Sequence, residues 1–208
     1  MTKHIVWDWN GTLFHDIDAV VGATNEVFKA YELAPMTADG FRAVYTRPIW
    51  VAYERMLGRP LAEGEWELLD TGFHDHYFRL AGACALAADA EHALSTWTGT
   101  QSLCSMAPHS HLVPKVDAFG ITRHFTRVDG LLGTTGGEKA VHMAAHIESI
   151  AVSPREVLVI GDSVDDAVAA SHVGARAVLY TGGMSTRAEL ESTGFPVVDT
   201  LAEALDHA

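Results

Sequence analysis

The chain has 208 residues, 48% of them hydrophobic and 20% charged, a balance that fits a soluble globular protein of one domain, or one domain with an insertion. Fourteen Lys and Arg stand against 27 Asp and Glu, for a formal charge of −13, and the basic residues are scattered rather than striped. Nucleic acid and anionic membrane surfaces are poor candidates as partners for such a chain.

Two cysteines, Cys84 and Cys104, lie far apart with neither a CxxC nor a zinc-ligand spacing, and the first residues enter a strand pattern rather than a charged leader. A reduced, cytoplasmic protein is expected. No apolar run approaches the ~20 residues that cross a bilayer.

In chain order, the first element is the apolar run His4-Ile5-Val6-Trp7, which ends in Asp8 and breaks at Asn10-Gly11-Thr12. A buried strand that delivers a carboxylate to its C-terminal end is expected, and that end is where open parallel α/β sheets bind ligands. A strand-end Asp that merely starts an Asn-Gly turn is the plainer alternative. From about Asp18 to Leu57 the apolar residues Val20, Val21, Val27, Phe28, Phe41, Val44, Trp50 and Tyr53 recur at threes and fours, which predicts at least two helices. Pro35 and the cluster Thr37-Ala38-Asp39-Gly40 punctuate them, with Thr37 the expected N-cap. Further helices are expected from about Ala62 to Leu80 and from about Ala87 to Trp97.

A run of helices this long between a first and a second strand exceeds an ordinary crossover. The economical reading is a helical domain inserted at residues 15–83, with linkers near Phe14-His15-Asp16 and Gly82-Ala83-Cys84, and a core formed by 1–14 plus 84–208. From Gly99 a strand–helix rhythm sets in. Strands are expected at Gln101–Met106, Phe125–Val128, Glu156–Ile160, Ala175–Tyr180 and Val197–Val198. Helices are expected near Pro108–Phe119, Glu138–Ile150, Asp165–Val173, Arg187–Ser192 and Leu201–His207. Short apolar runs alternating with helices predict an α/β fold with a Rossmann-like parallel sheet covered on both faces.

A second acidic constellation repeats the logic of the first. The run Val157-Leu158-Val159-Ile160 ends in Gly161-Asp162, and Ser163-Val164-Asp165-Asp166 follows within one turn. Two parallel strands that end in carboxylates bring Asp8 and Asp162 close together, an oxygen-rich site suited to a hard cation such as Mg2+.

Asp8-Trp9-Asn10-Gly11-Thr12, then Ser105, Lys139 and Gly161-Asp162-Ser163-Val164-Asp165-Asp166, resemble in order and spacing the haloacid dehalogenase superfamily, in its phosphoglycolate-phosphatase-like branch. The insertion sits where that family places a helical cap. The resemblance implies Asp8 as a nucleophile that attacks phosphorus and binds Mg2+, and Asn10 as a metal ligand through its backbone carbonyl. It implies Ser105 and Lys139 as phosphoryl-binding and charge-neutralising groups. Asp162 becomes a direct metal ligand, and Asp166 an outer acid holding the ion or its waters. Gly11, Thr12 and Arg47 become candidate substrate contacts.

The departure is Asn10, where phosphatases of the family usually carry an aspartic acid that protonates the leaving group. The implied activity is Mg2+-dependent hydrolysis of a small phosphorylated metabolite, slowed or altered by the amide. The alternatives are cleavage of a non-ester bond such as C–P, or a Mg2+–phosphate-binding protein without turnover. For the C–P route only Lys29, of four lysines, falls in the insertion as a Schiff-base candidate. His15 and Asp16 are weighed as substitute acids and expected instead to be solvent-facing hinge residues. His142 and His146 have helical metal-ligand spacing but lack an HExxH context, so no zinc site is expected. Thr181-Gly182-Gly183, after the last long strand, is weighed as a border of the site, with a plain turn the expected reading.

Overall fold

A computed structural model describes residues 1–133 and 138–208. The chain divides into two compact units, Met1–His15 with Leu86–Ala208, and Asp16–Ala85. No helix among the described residues is long and apolar enough to cross a membrane.

The first unit is built on a six-stranded parallel sheet. Its strands are β1 (His4–Trp7), β2 (Thr100–Pro108), β3 (Val128–Leu131), β4 (Val157–Gly161), β5 (Arg176–Tyr180) and β6 (Val197–Val198), in the order β3-β2-β1-β4-β5-β6. All four residues of β1 and all five of β4 are buried, the uniform burial of strands covered on both faces. Succession runs from β1 outward through β2 to β3 and then returns to the other side of β1 as β4. That reversal makes the β1–β4 boundary a topological switch point, where such sheets open a crevice at their C-terminal edge. Trp7 pairs with Leu103 on one side and Ile160 on the other, so Asp8, Ser105 and Asp162 all follow within two residues of the last paired level.

Helices α5 (Ala90–Thr96), α6 (His109–Ala118), α7 (Lys139–Ile150), α8 (Val164–Val173), α9 (Arg187–Ser192) and α10 (Leu201–Leu205) complete this unit. Met143 and Ile147 of α7 and Ala169 and Ala170 of α8 pack on Val6, Cys104, Val157 and Val159. Small residues on α8 let it lie close to the sheet. Its start is fixed by reciprocal bonds between Ser163 and Asp166, and its end by Gly174 in the left-handed region, φ 77°.

One strand differs from expectation. The predicted Phe125–Val128 is displaced to Val128–Leu131, because residues 122–124 form a 3-10 turn and ladder pairing begins at Leu103↔Val128. Asp129 and Gly130 disfavour a strand by propensity. Here Asp129 takes a side-chain partner, and Gly130 accommodates a backbone approach in which a Cβ would stand 2.6 Å from the Ala107 carbonyl oxygen.

The second unit holds α1 (Ile17–Phe28), α2 (Ala38–Val44), α3 (Ile49–Leu57) and α4 (Glu65–Leu80) around Phe28, Tyr53 and Leu69. Thr37 caps α2, accepting from the Gly40 amide at 3.1 Å. Helix α4 starts at Glu65 rather than Ala62, since the Glu65 carboxylate is taken up by Arg59 and the Ala62 amide. Asp16, expected to face solvent, is instead fully buried and accepts from the Tyr77 hydroxyl at 2.6 Å. A buried carboxylate requires such a partner.

A polar chain runs through the α7 side of the sheet. Nδ1 of His4 lies 2.8 Å from Thr100 Oγ1, and its Nε2 lies 2.7 Å from Ser102 Oγ. The same Ser102 oxygen lies 2.7 Å from His146 Nε2, whose Nδ1 is 2.7 Å from Asp129 Oδ2. Burial, and after it the neighbouring His146, pull the His4 pKa down from 6.5 to about 4. The unfolded chain therefore binds more protons than the folded one between these values. Stability is complete above pH 6.5 and declines as pH falls toward 4, by about 2 kcal/mol at pH 5 from His4 alone. Urea unfolding at pH 7.5 and pH 5 should show the decline, and His4→Leu should show a smaller one. Equal declines in both proteins would contradict this account.

Candidate active site

Asp8, Asp162 and Asp166 form a buried carboxylate group whose ligand atoms lie within 4.8 Å of one another. Asp8 is delivered by the end of β1, with its amide donating to the Ile160 carbonyl at 2.9 Å. Lys139, the first residue of α7, is 4% exposed and is the cation that meets this group. Its Nζ stands 2.7 Å from Asp8 Oδ1 and 2.5 Å from Asp166 Oδ1. Desolvation opposes the lysine charge, yet Asp166 and Asp8 hold its pKa well above the ordinary value. Burial pushes Asp8 up to about 6 despite Lys139, and burial together with Asp8 and Asp166 raises Asp162 well above the carboxylate range. Three carboxylates against one ammonium leave an excess of negative charge in a desolvated place. A divalent cation with oxygen ligands relieves such an excess.

Each acid is held in its own way. Asp162 accepts from the Thr12 hydroxyl at 3.0 Å and from the Met184 amide at 2.7 Å. Asp166 accepts at Oδ2 from the Ser163 amide, 3.0 Å, and hydroxyl, 2.7 Å, so that with Lys139 both its oxygens are engaged. This geometry suits the outer position expected of Asp166. Glycines make room for Asp162. A Cβ on Gly11, which has φ 75°, would stand 2.4 Å from its Oδ2, and one on Gly183 would stand 2.0 Å away. Gly183→Ala is therefore expected to displace the carboxylate and weaken by about tenfold the binding of any divalent cation held there, Mg2+ being the one to titrate, since supporting contacts around a ligand are typically worth 10–100-fold in affinity. Titration calorimetry checks this, and unaltered affinity would contradict it.

Ser105 is 1% exposed and its oxygen accepts from the Ala107 amide at 3.1 Å, which leaves its proton to donate. Asn10 is half-buried at the turn after Asp8 and bridges to Phe14 in the backbone. The structure thus joins Lys139 to Asp8 and Asp166 by ion pairs and sets Asp162 within 4.8 Å of both acids, with Gly11 and Thr12 lying against Asp162. Thr12, expected as a substrate contact, has its buried hydroxyl committed to Asp162. Arg47 belongs to the other unit, is exposed, and donates from Nε to the Tyr45 hydroxyl at 3.1 Å. The pair His142/His146 joins no metal-ligating cluster among the described residues. Sequence reasoning missed Met184, which acts through its backbone and so carries no side-chain signal. For Thr181-Gly182-Gly183 the structure favours the alternative over the plain turn, since Gly183 borders Asp162.

Residues 136–204 match the family model described as HAD-hydrolase-like. The chain is 27% identical over 202 residues to the phosphoglycolate phosphatase of Caulobacter vibrioides, covering 93% of this chain and 85% of that protein. Among solved structures, a haloacid dehalogenase-like family hydrolase of Streptococcus pneumoniae superposes with a TM-score of 0.86 at 16% identity, over 99% of this chain and 98% of that one. A predicted phosphoglycolate phosphatase of Haemophilus somnus gives 0.80 at 20% identity, over 99% and 97%. At these identities the structural likeness speaks for the fold.

Proposed function

We propose that this chain, a haloacid dehalogenase-like hydrolase of phosphatase type, is a Mg2+-dependent phosphomonoesterase that hydrolyses a small phosphorylated metabolite through a phosphoryl group carried on Asp8. The observation that carries this reading is the contact of one buried ammonium, Lys139, with two carboxylates, Asp8 and Asp166, beside a third, Asp162. Asp8, the Asn10 carbonyl and Asp162 would hold the ion, with Asp166 behind them. When bound, Mg2+ would supply positive charge that offsets the negative charge of the nucleophile and of the phosphoryl group.

One Asp8 oxygen forms the bond to phosphorus as the ester bond breaks and its electron pair departs with the alcohol. Water then bonds to the same phosphorus, the bond to Asp8 breaks with its electron pair returning to the carboxylate, and the water proton goes to solvent, releasing inorganic phosphate. Lys139 offsets charge on Asp8 and on the phosphoryl group in flight, and the Ser105 hydroxyl donates to a phosphoryl oxygen. Asn10 presents an amide with no proton to exchange at neutral pH, so the proton for the leaving oxygen comes from solvent. This favours substrates that leave easily. The Asp16–Ala85 unit takes the part of the cap and selects the substrate, with Arg47 its candidate anion contact.

Because a relative is named a phosphoglycolate phosphatase, 2-phosphoglycolate and p-nitrophenyl phosphate are the first pair to compare. Phosphate release is expected with Mg2+, abolished by EDTA, and faster from the aryl ester by about 10²-fold, the scale of a missing general acid. No release from either ester would contradict the reading.

A further inference from the structure

The chain Asp129–His146–Ser102–His4–Thr100, buried at its three central residues, takes no part in the proposed reaction, yet it touches the three elements that carry the reacting groups. His4 precedes Asp8 by four residues on β1. Ser102 precedes Ser105 by three on β2. His146 follows Lys139 by seven on α7, so both face the sheet, about two turns apart along the helix. His4, Ser102 and His146 are each at most 1% exposed.

Their partners assign the protons. Burial opposes charge on Asp129, but Arg127 and His146 hold its carboxyl below the ordinary value, so it accepts. Neutral His146 must then carry its proton on Nδ1, leaving Nε2 as an acceptor. Ser102 donates to that nitrogen and accepts from His4 Nε2–H, and the Thr100 hydroxyl, which also reaches the Lys3 carbonyl at 3.3 Å, gives its proton to the nearer His4 Nδ1 at 2.8 Å. A second proton on His146 would reverse the chain, Ser102 then accepting from His146 and donating to His4 Nε2 while His4 donates from Nδ1 to Thr100 Oγ1, and burial first of all opposes that second charge. Facing His146 besides these are His142 on its own helix and Arg127 on the strand side, both of which disfavour its charge. The polarity of the whole chain therefore follows from one carboxylate.

We propose that His146, Ser102 and His4 are positioning residues: a relay of fixed polarity, set by Asp129, that holds α7, β2 and β1 in the register bringing Lys139, Ser105 and Asp8 together. The proposal rests on the reading of those three as the reacting set. Its kinetic test is Ser102→Ala, which cuts the relay at its centre with the loss of a single hydroxyl. With p-nitrophenyl phosphate and Mg2+, kcat is expected to fall about tenfold while KM stays within about twofold, since sub-ångström misplacement of reacting groups acts on the chemical step. Ser102→Thr restores the hydroxyl and should recover kcat to within about threefold of wild type. A folded Ser102→Ala protein with wild-type kcat, or a loss that threonine does not repair, overturns the proposal.

Nitrogen-15 NMR of labelled histidines supplies the second readout. Wild type at pH 7 should show His146 protonated on Nδ1 and His4 on Nε2. Asp129→Asn, on a partly exposed strand, should turn His146 into a mixture of tautomers and lower kcat. A wild-type His146 protonated on Nε2, or one tautomer in Asp129→Asn, overturns the assignment. Should no phosphomonoester be turned over, the phosphatase reading fails by itself. The relay is then judged on the tautomers and on hydrogen exchange of α7, where Ser102→Ala should lose protection and unchanged protection would refute it.

Discussion

Asp8→Asn is expected to lower kcat by about 10⁴-fold or more, because a neutral amide cannot take the phosphoryl group and the loss of a nucleophile removes the whole covalent route. The substitution keeps the shape of the side chain and removes one of three charges packed around Lys139. Burial holds the Asp8 pKa up to about 6, so its ionised form at pH 7.5 works against folding. A raised carboxylate pKa adds stability at low pH and loses it as pH rises from the unfolded value through 6. The metal-free variant should therefore melt at or above the wild-type temperature at pH 7.5, while Mg2+ should raise the melting temperature of wild type more than that of the variant. An inactive variant that melts well below wild type would assign the loss to misfolding.

The second large effect runs the other way. Asn10→Asp places an ionisable group two residues after Asp8, the proposed nucleophile, where on that reading it protonates the leaving oxygen and then draws a proton from water. A gain of about 10²-fold is expected for an alkyl phosphate, within the usual range for a general acid–base. For p-nitrophenyl phosphate the gain should be small in the first step, because that alcohol leaves without help. Steady-state rates on both esters decide the matter. Equal rates in wild type and variant on the alkyl ester would mean that another group already transfers the proton.

Much of this was legible in the sequence because it is local. Two apolar runs that each end in Asp, and a helix that begins after Ser163, determine the strands and the places where Asp8 and Asp162 emerge. What escaped depends on residues far apart in the chain. Burial of Asp16 depends on Tyr77, sixty-one positions away, and the His4–Ser102–His146 relay spans β1, β2 and α7. Neither leaves a periodic trace. The displaced strand β3 is a case of tertiary contact overriding propensity, since Asp129 and Gly130 suit a strand only in the presence of His146 and the Ala107 backbone. The histidine pair that resembled metal spacing proved to be half structural, with His146 tied to Asp129.

The central claim is that Asp8 carries the phosphoryl group. Acyl phosphates are reduced by borohydride to the alcohol, which converts an aspartyl-phosphate to homoserine, and the missing acid at Asn10 should let the species accumulate. Wild-type protein mixed with p-nitrophenyl phosphate and Mg2+, quenched in acid, reduced and digested, should yield a peptide with homoserine at position 8 by mass spectrometry. Turnover that leaves Asp8 unmodified under these conditions, or homoserine at another aspartate, would contradict the account.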